Sequence, residues 1–383
     1  MQITPFGVEI WMNAYETTCT YNLAETCVHS LTIAELLALA GRNSNDLSAL
    51  LPMQLTYGAI EGSLHLRTAI SRLYTRQTPE NMLVTHGTIG ANALVHQALI
   101  GPGDRVVSIV PTYQQHTAIP ASLGAEVIEL PLLAKDAYLP DLARLRSLAR
   151  GAKLIALTNP NNPTGALMGR DMLEQIATIA RAEGAWVLCD EVYRGTEQSG
   201  DAITPSIADI YEKGISTAGM SKAFSLAGLR LGWVCAPHDV LQAVSIHRDY
   251  NTISVGMLDD HFATIALQNA DRILARSRAI VRRNLGILDD WVQATPGLSY
   301  VRPQAGTTAM LAYGLDMTSR DFCKSLLTDT GVMFVPGDVF GMEGQVRIGY
   351  ACATDVLQTG LAQVGAWLAR QEGRPAWTGG PPV

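Results

Sequence analysis

A lysine becomes a useful nucleophile toward a carbonyl when its surroundings favour the neutral amine, and the run Ala218-Gly219-Met220-Ser221-Lys222 sets such a lysine in a loop of small residues, with Arg230 eight residues on. Upstream, the apolar run Leu188-Cys189 ends in Asp190-Glu191-Val192-Tyr193. Before that, another apolar run ends in Asn159-Pro160-Asn161-Asn162-Pro163-Thr164-Gly165, where two prolines and a glycine stop a strand and fix a turn. The carboxyl edge of an open α/β sheet is where ligands bind. Lys222, Asp190, Tyr193, Asn162 and Arg230 converging at one such edge could support Schiff-base chemistry. Any one of these motifs alone is weak.

The elements that must position them alternate from about residue 80 to 236. Short β-rich runs predict strands at Met82–Thr85, Arg105–Val110, Glu126–Leu130, Leu154–Thr158, Trp186–Cys189, Ile215–Ala218 and Leu231–Ala236. Amphipathic stretches lie between them, which is the pattern of βαβ units around a mostly parallel sheet. Asp171–Glu183 puts Met172, Ile176, Ile179 and Ala180 on one helical face, with Gly184 as the stop. After Asp259 the pattern changes to helices at Phe262–Gln268 and Arg272–Gln293, then strands at Thr308–Leu311 and Val346–Tyr350 with helices at Arg320–Thr328 and Thr354–Arg370. The expected organisation is an N-terminal arm joined to the small domain (1–45), a large domain (46–270), a small α+β domain (271–371) and a frayed tail (372–383).

The succession Tyr57-Gly58, Gly87-Thr88, Pro111-Thr112-Tyr113, Asn162-Pro163-Thr164-Gly165, Asp190-Glu191-Val192-Tyr193, Ser221-Lys222, Arg230 and Arg347 resembles, in order and spacing, the class I/II aminotransferases among the fold type I pyridoxal-phosphate enzymes. The resemblance runs over nearly the whole chain. It implies a large domain with a mostly parallel seven-stranded sheet flanked by helices and a smaller α+β domain. It implies pyridoxal 5′-phosphate held by Lys222 as a Schiff base, with the same lysine acting as proton carrier through a quinonoid state. Asp190 would face the pyridine nitrogen, Tyr193 and Asn162 the phenolic oxygen, and Tyr113 the ring face. Gly87, Thr88 and Ile89, opening the helix Gly90–Leu99, would cradle the phosphate with Ser221 and Arg230. Tyr57 would reach the phosphate site of a second subunit, which makes a homodimer with interfacial sites. Arg347 would clamp the α-carboxylate of an amino-acid substrate, alongside Asn162.

Three departures from the family pattern bear on specificity. Gly219 stands where a phosphate-binding serine is common, so that contact is missing or supplied by Ser221. His86 precedes Gly87 where small or polar residues are usual; it is a phosphate ligand or a structural histidine. The N-terminal segment Asn22-Leu23-Ala24-Glu25-Thr26-Cys27-Val28-His29 lacks the family's glycine and proline and carries Glu25 instead. Glu25 with Glu9, Glu16 and Asp249 would make an acidic pocket that selects a cationic, guanidino side chain, whereas Arg248 would read a side-chain carboxylate. The acidic set resembles the branch that oxidises or cyclises arginine or hydroxyarginine, the capreomycidine-synthase type. The same cofactor residues serve transamination, elimination with cyclisation, or oxidation, and His29 is a candidate second acid/base. Acids on this arm are equally compatible with simple solvation.

Composition removes other classes. The 383 residues carry 28 Lys+Arg against 35 Asp+Glu, a net charge of −7, which argues against nucleic acid or an anionic membrane as partner. No long apolar run or basic leader is seen, and six scattered cysteines without CxxC read as free thiols of a cytoplasmic protein without a metal site. No GxGxxG with a following acid supports a nicotinamide enzyme. A non-catalytic regulatory module on this fold would be expected to lack Lys222, which is present.

Overall fold

The computed structural model describes residues 2–371; the expected frayed tail, 372–383, lies outside the described residues. Seven strands build the large sheet: β1 (Met82–His86), β2 (Arg105–Val110), β3 (Glu126–Pro131), β4 (Leu154–Thr158), β5 (Trp186–Asp190), β6 (Gly214–Gly219) and β7 (Leu231–Cys235). Their order is β1-β7-β6-β5-β4-β2-β3, with β7 antiparallel to both neighbours and the other pairs parallel. Successive residues of a strand face opposite sides, so Ile155, Leu157, Val187 and Cys189 enter one core while Leu154, Leu188, Ile215 and Val234 enter the other. Burial on both faces is why these strands read as near-continuous apolar runs.

The strand ends set out the chemistry. β4, β5 and β6 are adjacent and parallel, so the turn after Thr158, the carboxylate of Asp190 and the loop after Gly219 emerge side by side. Because β7 reverses, its start, just after Arg230, and the end of β1 lie at that same edge. Helix α1 (Gly7–Tyr15) precedes the sheet, and helix α2 (Gly87–Leu99) leaves β1 without a loop. α2 begins at Gly87, three residues before the expected Gly90, because Gly87 turns the chain at φ 65°. Helix α3 (Arg170–Glu183) ends at Gly184 in the left-handed region, and its buried face is Leu173, Ile176, Ala177, Ile179 and Ala180; Met172 sits at its margin.

A second, antiparallel sheet has the order β10-β11-β9-β8, from β8 (Leu298–Tyr300), β9 (Thr308–Tyr313), β10 (Val335–Pro336) and β11 (Gln345–Gly349). Its core gathers Leu285, Ile348 and Trp367 with the N-terminal residues Trp11, Leu23 and Val28. Tyr21–Asn22 pairs in parallel with Val332–Met333, which ties the N-terminal segment to this smaller unit. Among the described residues no helix is long and apolar enough to cross a membrane, and no cluster of His, Cys, Asp and Glu is arranged for a metal ion.

Candidate active site

A cavity of about 320 Å³ opens at the strand ends, lined by residues of the large sheet, of α1 and of the segment 24–27, with Arg347 reaching in from β11. Gly349 lets the segment lie against β11: its N–H donates to Leu23 O at 2.7 Å, and a Cβ there would fall 1.8 Å from Glu25 O. Asn22 Oδ1 accepts from the N–H of Ala24 and of Glu25, which turns the chain into the cavity.

At the cavity floor Asp190 is buried, and Asn92 Nδ2 donates to its Oδ2 at 2.8 Å while Val192 N–H donates to Oδ1 at 3.1 Å. Thr217 Oγ1 in turn donates to Asn92 Oδ1 at 2.6 Å and fixes which way the amide points. Burial pushes the Asp190 carboxyl up to about 6, against the opposing pull of these hydrogen bonds and of Lys222. Sequence reading missed Asn92. Its signal was a polar residue near the start of an otherwise apolar helix face.

Lys222 Nζ donates to Thr26 Oγ1 at 2.5 Å and to Cys27 Sγ at 3.4 Å, with Glu25 Oε1 at 3.8 Å. Burial opposes its charge, but Cys27, Tyr193 and Glu25 hold the ammonium above its ordinary range. Burial also opposes the Glu25 charge, yet Lys222 and the hydrogen bonds of its own turn keep that carboxyl below the usual range. Tyr193 is buried and raised by burial, partly offset by Lys222 and Thr26. Tyr113 donates its hydroxyl to Glu9 Oε1 at 2.6 Å. Arg347, 2% exposed, donates from Nη1 to Asn162 Oδ1 at 3.2 Å and from Nη2 to Ala24 O at 2.9 Å, and its Nε has no partner. Such a guanidinium, fixed at both Nη atoms and open to the cavity, is preorganised for an anion.

At the other end no side chain caps α2, so its first N–H groups, at Gly87, Thr88 and Ile89, remain free for an anion. Thr88 Oγ1 is buried without a partner, Ser221 lines the same end, and Arg230 brings Nη2 close to Gly87. Gly232 admits this loop, since a Cβ there would meet Gly87 C at 2.4 Å. Gly219 is explained the same way: a Cβ would lie 2.5 Å from Thr88 Oγ1, so the threonine fills the space a serine would need. The donor set therefore fits pyridoxal phosphate: a free anion cradle, a buried carboxyl for a pyridine nitrogen, and a lysine amine between them.

Not every expected residue comes here. Tyr57 is 74% exposed and does not line the cavity. Asp249 ends the helix His238–Asp249 and lines a separate pocket with Arg248, Glu61 and Arg67, so neither Asp249 nor Arg248 faces Lys222 within this chain. Arg248 is buried and donates to Val84 O at 3.3 Å, which gives it a structural partner. His29 is exposed and outside the cavity, and His86 likewise does not line it; the groups beside Lys222 are Thr26 and Cys27. Glu9, Glu16 and Glu25 all line it.

The family model of class I and II aminotransferases matches residues 42–363. The fold superposes on a PLP-dependent aminotransferase from Streptococcus suis 89-1591 with a TM-score of 0.94 and 44% identity, covering 97% of this chain and 99% of that one. It also superposes on the PLP-dependent cyclase OrfR, with a TM-score of 0.88 and 25% identity over 97% of this chain and 98% of that one. In sequence it is 29% identical over 378 residues to capreomycidine synthase of Streptomyces vinaceus, 97% of this chain and 96% of that protein. With that coverage and a donor set built for the cofactor, the chain belongs to the class I and II aminotransferase family and is a pyridoxal-phosphate-dependent enzyme of fold type I.

Proposed function

We propose that the protein acts on an α-amino acid with a cationic side chain and transfers its amino group to a 2-oxo acid. One observation carries this reading: the cavity containing Lys222 and Arg347 is also lined by Glu9, Glu16 and Glu25. Bound pyridoxal phosphate supplies an electron sink conjugated to the substrate Cα. Lys222 carries the proton to and from Cα, and Asp190, oriented by Asn92, holds charge at the pyridine nitrogen. Tyr193 and Asn162, which line the cavity, would hold the phenolic oxygen, and Tyr113 would cover a face of the ring. Thr88, Ile89, Ser221 and Arg230 anchor the phosphate at the start of α2. Arg347 grips the α-carboxylate, which directs the substrate side chain toward α1 and its acids. A cation there competes with the Tyr113 hydroxyl for Glu9.

The exposure of Tyr57, together with Leu51 and Leu55, supports a homodimer in which each Tyr57 serves the other subunit's phosphate. A single species of about twice the 41.2 kDa chain mass in light scattering is the expected result.

A second reading has its own support. The near full-length likeness to capreomycidine synthase and to the cyclase OrfR favours ring closure of a guanidino amino acid on the same residues. One experiment separates them: loaded enzyme is titrated with each amino acid while absorbance and products are followed, with and without a 2-oxo acid. Acceptor-dependent turnover that favours arginine or lysine over aspartate by about tenfold or more supports amino transfer to a cationic substrate. Acceptor-independent consumption of arginine or hydroxyarginine supports the second reading, and preference for an acidic or apolar amino acid overturns the cationic substrate. Lys222→Ala should abolish the cofactor band shared by all outcomes.

A further inference from the structure

Three consecutive residues surround Lys222 Nζ: Thr26 Oγ1 accepts at 2.5 Å, Cys27 Sγ accepts at 3.4 Å, and Glu25 Oε1 stands at ion-pair distance, 3.8 Å. An ammonium donates and cannot accept, so a hydroxyl and a thiol within hydrogen-bond range and a carboxylate at ion-pair distance suit it in kind. The turn is built to stay in place. Glu25 Oε1 accepts from Thr26 N–H at 2.6 Å and Cys27 N–H at 2.9 Å, and Thr307 Oγ1 donates to Thr26 O at 2.7 Å. Val28 N–H donates to Lys222 O at 3.4 Å, which joins the turn directly to the lysine's own loop. Both Thr26 and Cys27 are buried.

From this geometry we propose that the Glu25-Thr26-Cys27 turn is a docking station for the Lys222 ammonium whenever that amine is not bonded to the cofactor, which makes Thr26 and Cys27 positioning residues of the reaction. The inference rests on Lys222 being the cofactor lysine. The station keeps the side chain within reach of Cα, in one rotamer, during the part of the cycle when nothing covalent tethers it. Cys27 acts there as a neutral thiol: burial, against the pull of Lys222, pushes it up to about 11. Tyr193 and Asp190 also face the amine, while Arg230 and Arg347 line the same cavity. The turn's two hydrogen bonds and its ion pair are what distinguish its grip from the general field of the site.

Enzyme loaded with pyridoxamine 5′-phosphate leaves Lys222 free, and its labelling by trinitrobenzenesulfonate can be followed by mass spectrometry across about pH 6 to 10, with exposed Lys135 as internal reference. Thr26→Val and Cys27→Ala should each raise the rate of Lys222 labelling relative to Lys135 throughout this range, where the ammonium predominates, by about tenfold near pH 8 for Thr26→Val. Thr26→Ser and Cys27→Ser, which keep an acceptor, should stay at the wild-type profile. Unchanged profiles in both Thr26→Val and Cys27→Ala overturn the station, and Glu25→Gln supplies the test if either variant does not fold. If pyridoxal phosphate fails to protect Lys222 from the reagent in the wild-type protein, the fault lies instead in the cofactor-lysine assignment.

Discussion

Gly219 and Thr88 share one space, and which of them carries the side chain decides how the proposed phosphate end is furnished. A Cβ at Gly219 would stand 2.5 Å from Thr88 Oγ1 and 3.0 Å from Leu231 O, so Gly219→Ser should displace the threonine that faces the anion cradle. We expect pyridoxal phosphate to bind about tenfold more weakly in Gly219→Ser, measured by fluorescence titration, with partial recovery in the Gly219→Ser/Thr88→Ala double variant. Asn92 acts at the opposite end. Asn92→Leu removes a buried donor to Asp190 and leaves Thr217 Oγ1 without its acceptor. The cost should be about 1–3 kcal/mol in denaturant unfolding, and Asn92→Asp should do no better because it sets a second carboxyl against Asp190.

At the scale of elements, α1 is a strap between the two halves of the site. Trp11 Nε1 donates to Phe334 O at 2.8 Å and its ring is buried in the smaller core, while Gly7 N–H donates to Gln114 Oε1 at 2.9 Å and Glu9 holds Tyr113. Trp11→Ala should therefore cost about 3–5 kcal/mol in stability and weaken substrate binding, read as a lower unfolding midpoint and a higher KM. Most elements that carry the candidate site residues were legible in the chain. Strands buried on both faces announce themselves by apolar runs, and the adjacent runs β4, β5 and β6 lead into polar motifs at the same edge, as at Asp190 and before Lys222. What the chain did not disclose lies in long-range pairing. Lys222 meets Cys27 across 195 residues, and no local pattern encodes that the turn after Asn22 bends toward it. Asp249 was the converse case: a residue of suitable charge near the expected position, carried by its helix end to a different pocket.

For the whole molecule, two buried groups give the fold opposing responses to acid. Burial pushes Asp190 up to about 6, so the cofactor-free folded state holds a proton that the unfolded chain releases near 4. That group stabilises the fold fully at low pH and loses the contribution as pH rises from about 4 to about 6, at most about 3 kcal/mol. Burial pushes His116, hydrogen-bonded to buried His96 at 3.2 Å, down to about 4. The unfolded chain then gains a proton below about 6.5 that the folded state resists, so this stability is complete above that pH and is lost on acidification toward 4. Over the same window the two slopes oppose each other. Asp190→Asn removes one of them, and its unfolding free energy should fall more steeply between about pH 6.5 and 4 than that of the wild type, by up to about 3 kcal/mol across the interval. His116→Gln should flatten the acid side. Pyridoxal phosphate, whose pyridinium would hold Asp190 ionised, should act like Asp190→Asn, so the loaded protein should be the more acid-sensitive of the two forms when stability is measured relative to neutral pH. Equal slopes with and without cofactor would mean that Asp190 does not face the ring nitrogen.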